Sequence, residues 1–533
     1  MPLFLSRVIV ANYRCLKRAD VPLNAGLNVI VGSNECGKST LLEAVYLALS
    51  GQLNGRPIQS ELHPYLFNTE IVAEYIHALR GKLPVAPPTV SIELYFHDDP
   101  ALIQLKGINN SRRDNVPGVR LSIEFNDEFK EEYAAYVDNP SIMRTLPIEY
   151  YIAHWRNFGD NNIVTGRSIP IKPGFIDAST IRNNTAASRY VVDIMKESLS
   201  KSQKVDLALS YRLMKDAFLD EEKVKSVNDA LAKKKGHISN KALSVSLDTS
   251  SRSGWETGVI PHLDDVPLTL VGKGEQNSVK IKLALESSAE SHVILIEEAE
   301  NHLSFSNLNT LISDIVERRG NRQLLITTHS SFVLNKLGVE SVILFQRGDN
   351  MTLKNLTPDT QEYFMRLPGH DTLRLILAHR SILVEGPSDE LIVQAAFYKV
   401  HERMPLDMGI DVISVRSLAF KRFLEIAVLL KKQVAVVTDN DGNVEALISK
   451  YKDYTMLSHI GLYYDTDEAF PTLEPQLLKA NGRNAIETIL GQNFVDDAAL
   501  LKFMQDNKTD TALKFFTTKE PWTVPQYILD AVK

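Results

Sequence analysis

The stretch GSNECGKS, Gly32 to Ser39, restricts the folds open to this chain more than any other. It follows the apolar, strand-like GLNVIV and leads into KSTLLEAVYLALS, whose apolar spacing is helical. A strand, a glycine-rich loop and a helix in that order make a phosphate cradle. Backbone N–H groups point at the anion, a lysine reaches the β and γ phosphates, and the following hydroxyl ligates magnesium. Asn34, Gly37, Lys38, Ser39 and Thr40 are therefore the expected nucleotide contacts, with Ser39 also on the metal.

A chain of 533 residues is too long for one core, so two or three domains are expected. A net charge of −7 argues against coating nucleic acid through the overall field and leaves room for local basic clusters, such as Lys421 with Arg422 or Lys431 with Lys432. With only Cys15 and Cys36 present there is neither a disulfide framework nor a thiolate zinc site, which fits a cytoplasmic protein. The first residues reach Arg7 too soon for a leader, and no apolar run approaches bilayer thickness, so no membrane partner is expected.

Two further strand ends complete the nucleotide engine. VILIEEAENHLS puts Glu297 where a carboxylate serves magnesium and Glu298 where one orients the attacking water. LLITTHS puts His329 at the C-terminal edge of another strand, where ligands gather in open α/β sheets, close enough to sense a γ-phosphate. Between these parts, residues 126–259 read as polar-rich helices, a helical insertion expected to serve as a dimerisation arm. This order resembles the ABC-type ATPases of the SMC and RecF kind, which close ATP between two protomers. In that resemblance VGKGEQNSVKI supplies the signature loop, with Gly274 and Gln276 as nucleotide contacts and Lys273 where a serine is usual. Gln59 is a candidate for the glutamine lid.

After a Pro-, Gly- and Asp-rich linker at about 350–372, a second α/β unit begins. SILVEGPSDELIV ends a strand with Glu385 and carries Asp389 on the next helix, and VAVVTDND ends another strand with Asp439 and Asp441. A spacing of two puts the latter pair on one face if the strand continues. Carboxylates gathered without a basic partner repel one another, and a hard divalent cation, Mg²⁺ or Mn²⁺, relieves that. The arrangement resembles the Toprim fold. Together the two halves resemble the OLD (overcoming lysogenisation defect) nucleases, with an ABC-type domain over 1–125 and 260–350 and a Toprim domain over 375–533.

That resemblance implies a metal-dependent DNA endonuclease regulated by ATP, with Glu385 and Asp439 catalytic, Glu385, Asp389, Asp439, Asp441 and Glu474 as metal ligands, and Lys508 steadying the phosphate. It also implies a homodimer or higher oligomer, a role in antiphage defence, and a partner such as a helicase or a retron reverse transcriptase with its non-coding RNA. The rival reading is a non-cutting DNA-repair ATPase of the RecF or SMC type. A primase or topoisomerase is a third, and no tyrosine is marked out as its nucleophile.

Overall fold

The computed structural model describes residues 3–137, 143–163, 169–177, 192, 195, 199–235, 241–250, 254–287, 291–345, 350–353, 355–366, 372–415 and 420–533. Alternating apolar residues in Leu5–Tyr13 and Leu16–Pro22 build the near edge of an antiparallel sheet. It continues through Val90–Phe96, Val116–Phe125, Tyr151–Asn157 and Asn162–Ile163. A second sheet runs in the order Pro173–Asp177, Val293–Glu297, Gln323–Thr327, Leu27–Val31, Val342–Phe345, all parallel, with Asn350–Thr352 antiparallel at its edge. Its strands are apolar on both faces, as a sheet covered from both sides requires.

The helix Lys38–Ser50 lies between the two sheets. Leu41, Leu42, Val45 and Leu49 join Val10, Ile92 and Leu121 of the first sheet and Ile30, Leu295 and Leu325 of the second in one core. Being apolar nearly all round is what lets it fill that slot.

The third sheet holds Ile410–Ser414, Arg380–Val384, Gln433–Val437 and Ile460–Tyr463 in that order, all parallel. Its residues alternate between two cores. Ile382, Val384 and Val437 face the helices of the last fifty residues, while Leu383, Ile413 and Val436 face the other way. On that second side the apolar cluster runs unbroken through Phe364, Leu373 and Ile376 into Val29, Ile296 and Ile326 of the nucleotide-binding sheet.

Two boundaries differ from the sequence reading. The segment 126–259, expected to be helical, contributes Tyr151–Asn157, Asn162–Ile163 and Pro173–Asp177 to the two ATPase sheets. The polar helical stretches around them dominated the pattern and hid YIAHWRN, whose alternate aromatic and apolar residues suit a strand. Among the described residues the helical arm itself is Lys201–Asp220 and Glu222–Ala232. The start of the expected helical run, near residues 187–198, lies largely outside the described residues.

The linker at 350–372 is likewise no solvated tether. It adds the Asn350–Thr352 edge strand and the helix Pro358–Arg366, with Leu353 and Phe364 fully buried. Leu353, Leu356 and Phe364, all buried, outweigh its turn-forming composition.

Candidate nucleotide and carboxylate sites

The first site is built on three neighbouring strand tips. Leu27–Val31 runs into the glycine-rich loop, Gln323–Thr327 into His329, and Val293–Glu297 into Glu298, with the histidine strand in the middle. The loop fits tightly. A Cβ at Gly32 would lie 2.3 Å from the Phe345 carbonyl oxygen and 2.6 Å from Cys36 Sγ, and Gly37 takes φ +104°. Cys36, buried, packs inside the loop.

Lys38 is 6% exposed, and its ammonium donates to the Gly32 and Ser33 carbonyls at 2.9 and 3.1 Å. Burial lowers its pKa, opposed by the charges of Cys36, Glu298, Glu297 and Glu300. Ser39 and Thr40 follow in the helix's first turn, where Thr40 Oγ1 lies 3.3 Å from Cys15 Sγ. Asn34 sits in the loop itself.

Glu298, at φ +46°, turns the chain out of its strand; its N–H donates to the Thr327 carbonyl at 3.1 Å and its carboxylate accepts from Asn301 Nδ2 at 2.7 Å. His329 Nε2 is 3.5 Å from Glu298 Oε1. Burial, and then the Lys38 charge, lowers the imidazole's pKa. The phosphate loop, Glu297, Glu298 and His329 thus share one edge of the sheet.

The proposed signature residues have local duties. Gln276 is 4% exposed, and its amide donates to the Val271 carbonyl at 2.7 Å, so that nitrogen holds its own loop. Gly274 lies against the acidic loop, where an added Cβ would meet the His302 carbonyl at 2.4 Å. Gly274→Ala is therefore expected to destabilise the nucleotide-free protein by about 1–3 kcal/mol, read by denaturant unfolding; unchanged stability would leave a phosphate contact as this glycine's duty. Gln59 accepts from the Ala153 N–H at 3.2 Å and is tied to the first sheet.

The second site lies in the crevice between the tips of Arg380–Val384 and Gln433–Val437. These adjacent strands send their onward connections to opposite sides of the sheet, the switch point where α/β folds bind ligands. Glu385 closes the first tip and accepts from Thr438 Oγ1 at 2.6 Å and from the Asp439 N–H at 3.1 Å. Asp389, in the first turn of the helix Pro387–His401, accepts from the Gly386 N–H at 3.1 Å. Glu474 is 3% exposed, with Thr472 Oγ1 at 3.1 Å and Lys508 Nζ at 3.4 Å.

Their proximity shows in their acidities. Burial, then the charges of Asp389, Glu385, Glu474 and Asp441, push the Asp439 carboxyl up to about 9. Burial and Glu385 push Asp389 up to about 7, against the pull of the Gly386 hydrogen bond. Among the described residues no three such side chains already form a finished metal cage. The donor set nevertheless fits a hard divalent cation, being oxygen-only, partly buried and mutually repelling. Glu385, Asp389, Asp439 and Glu474 are the residues that would hold it.

Asp441 differs from expectation. The strand stops at Val437, so alternation does not reach it. Asp441 sits exposed in a turn at φ +50°, its N–H bonded to the Pro471 carbonyl at 3.2 Å, and its charge is the weakest of those acting on Asp439. The basic clusters differ too. Arg422 stacks 4.8 Å over the Tyr363 ring and Lys432 donates to the Ala378 carbonyl at 2.9 Å, so both serve packing.

Four residues escaped the sequence reading. Thr438 orients Glu385, and its place beside Asp439 at a strand end was the available signal. Asn440, 1% exposed, pins the loop to the Asp465 and Asp467 carbonyls at 2.7 and 3.1 Å. Asp465 follows the neighbouring strand and is paired with Lys479 at 3.3 Å. Glu300, in the nucleotide site, lies two residues beyond the acidic pair. Between the sites, Asn335 accepts from Thr372 Oγ1 at 2.6 Å, and Arg374 grips Asp411 through two nitrogens at 2.5 and 3.0 Å. A groove of about 410 Å³ there is lined by His329, Ser331, Arg374, His379 and Asp411 among others.

Family comparisons match both halves. Residues 376–441 match the overcoming lysogenization defect protein-like TOPRIM domain; residues 7–241 match an AAA domain, and 183–335 a second AAA domain described as a putative AbiEii toxin of a type IV toxin–antitoxin system. The chain carries an OLD-like TOPRIM domain behind AAA-type ATPase domains. Its α/β ATPase domain precedes the TOPRIM domain, as the sequence pattern predicts.

The chain is also 35% identical over 86 residues to the DNA replication and repair protein RecF of Vibrio cholerae, 15% of this chain and 24% of RecF. It thus spans about a quarter of that relative. It is 21% identical over 347 residues to an ATP/GTP phosphatase of Helicobacter pylori, 61% of this chain and 85% of that protein. Among solved structures, the C-terminal region of the Xanthomonas campestris OLD protein aligns at TM-score 0.24 and 20% identity, covering 30% of this chain and 92% of that one. RecF bound to ATP aligns at TM-score 0.35 and 12% identity, over 66% and 99% of the respective chains. Among the described residues no helix is long and apolar enough to cross a membrane.

Proposed function

We propose that this protein is a divalent-metal-dependent DNA endonuclease controlled by ATP, acting in antiphage defence. The observation that carries the reading is the convergence of Glu385, Asp389 and Asp439 at the crevice between two strand tips, within the stretch matching the OLD-like TOPRIM domain. Bound Mg²⁺ or Mn²⁺ would supply an activated water and stabilise the leaving 3′ oxygen of a phosphodiester.

The chain's own groups do the rest. Thr438 and the Asp439 N–H fix Glu385, the Gly386 N–H fixes Asp389, and Lys508 brings positive charge to the rim beside Glu474. On the ATPase side, Lys38 and Ser39 would hold the phosphates and magnesium, Glu297 would serve that ion, Glu298 would orient water, and His329 would face the γ-phosphate. Leu209, Leu213 and Met214, more than half exposed on the helix Lys201–Asp220, support self-association through this arm.

The RecF-like stretch favours a second reading, a non-cutting repair ATPase. Supercoiled plasmid incubated with Mg²⁺ or Mn²⁺, with and without ATP or a non-hydrolysable analogue, separates the two. The nuclease converts it to nicked or linear DNA. Intact plasmid under every condition sinks the first reading.

A further inference from the structure

Glu300 has no role in the machinery described so far. It stands two residues after Glu298, yet its carboxylate points to the next strand's loop. One oxygen, Oε1, accepts both the His329 N–H at 2.6 Å and the Thr328 hydroxyl at 2.7 Å. That hydroxyl in turn accepts the Ser330 N–H at 3.0 Å, and Ser330 caps the helix Ser331–Leu337 through Val333 N–H at 3.3 Å. Thr328 is fully buried, and Glu300 Oε2 is buried with no hydrogen-bond partner among the described residues.

A carboxylate oxygen accepts strongly from N–H and O–H donors, and here the two donors sit on adjacent residues, Thr328 and His329. The ring of His329 is meanwhile met by Glu298 at 3.5 Å. The same acidic loop therefore holds His329 twice, by the backbone through Glu300 and by the ring through Glu298. Asn301 extends the clamp: its side chain donates to Glu298 at 2.7 Å and its carbonyl accepts from Asn277 of the signature helix at 3.0 Å.

We propose that Glu300 is a positioning residue for ATP hydrolysis: its Oε1 sets the height and direction of His329 against the γ-phosphate. The role is one of hydrogen-bond acceptance at fixed geometry, and it leaves nucleotide binding untouched. It rests on the reading of His329 as the γ-phosphate-facing group.

Steady-state ATPase kinetics on the full chain test both statements separately. His329→Ala alone tests the reading of His329, and an unchanged kcat there overturns it together with the role of Glu300. Glu300→Ala is expected to lower kcat by about 10- to 100-fold with KM for ATP within about twofold, the range for removing an orienting partner. Glu300→Gln, which keeps an acceptor at Oε1, is expected to recover most of that loss. The double variant Glu300→Ala/His329→Ala is expected to be no slower than His329→Ala, because the two residues act as one unit.

A loss confined to KM, a Gln variant as slow as the Ala variant, or losses that multiply in the double variant would each overturn the role of Glu300. If Glu300→Ala does not fold, Thr328→Val, which removes the neighbouring donor at constant shape, carries the same test. It too must lower kcat, and not further in the His329→Ala background.

Discussion

Asp439→Asn is expected to abolish metal-dependent plasmid cleavage, by more than about a hundredfold, while ATP turnover continues. Even groups that only orient a metal ligand are worth about 10- to 100-fold, and Asp439 is proposed as a ligand itself. The same substitution should steady the metal-free protein. Asp439 sits among Asp389, Glu385 and Glu474, and burial with those charges raises its pKa to about 9.

A folded pKa above the ordinary carboxylate value near 4 means the folded chain keeps a proton the unfolded chain has shed. Stability therefore falls as pH climbs between the two. Metal-free wild type should melt at progressively lower temperature from pH 5 to 9, and the asparagine variant should lose less. Thermal denaturation in chelator at several pH values reads this directly. A wild-type melting temperature flat across that range would mean the carboxylates do not crowd one another.

Lys38→Met carries the second large effect. The side chain keeps its length and loses its charge, so ATP hydrolysis should fall by about 10²- to 10³-fold, as when a preorganised group facing developing charge is removed. In the structure the ammonium rests on the Gly32 and Ser33 carbonyls, inside a loop too tight for any side chain at Gly32. The cradle therefore persists around the substituted residue, and far-ultraviolet circular dichroism should match wild type. Retained hydrolysis would place the nucleotide elsewhere. Plasmid assays of this variant with ATP read the sign of nucleotide control: cleavage that no longer responds to ATP assigns that control to this site.

What could be read beforehand follows from how local each signal was. The glycine-rich loop and the strand tips bearing Glu298, His329, Glu385 and Asp439 were legible because a buried parallel strand is an unbroken apolar run, and the first polar residue after it marks the edge where ligands bind. Asp441 misled because alternation was extended past Val437 into a turn that only backbone geometry reveals. The strand Tyr151–Asn157 was hidden by its long-range partner, Val116–Phe125, some thirty residues upstream. Glu300 and Thr438 act across strands, on His329 and Glu385 respectively, and no periodicity within one element announces such a pairing.

The apolar layer running from Val29 and Ile326 through Phe364 and Ile376 to Leu383 and Val436 leaves no slack between the two engines. A close-packed interior resists shear and does not bend smoothly. If ATP controls the second site as proposed, the contacts that connect them are the Ser331–Leu337 helix, its Asn335–Thr372 peg and the Arg374 grip on Asp411 and, at 4.0 Å, Glu390, the residue next to Asp389. Such a connection is geared, not hinged: the two sites share one packed layer, so a change beside one phosphate would reach the carboxylates through side-chain repacking.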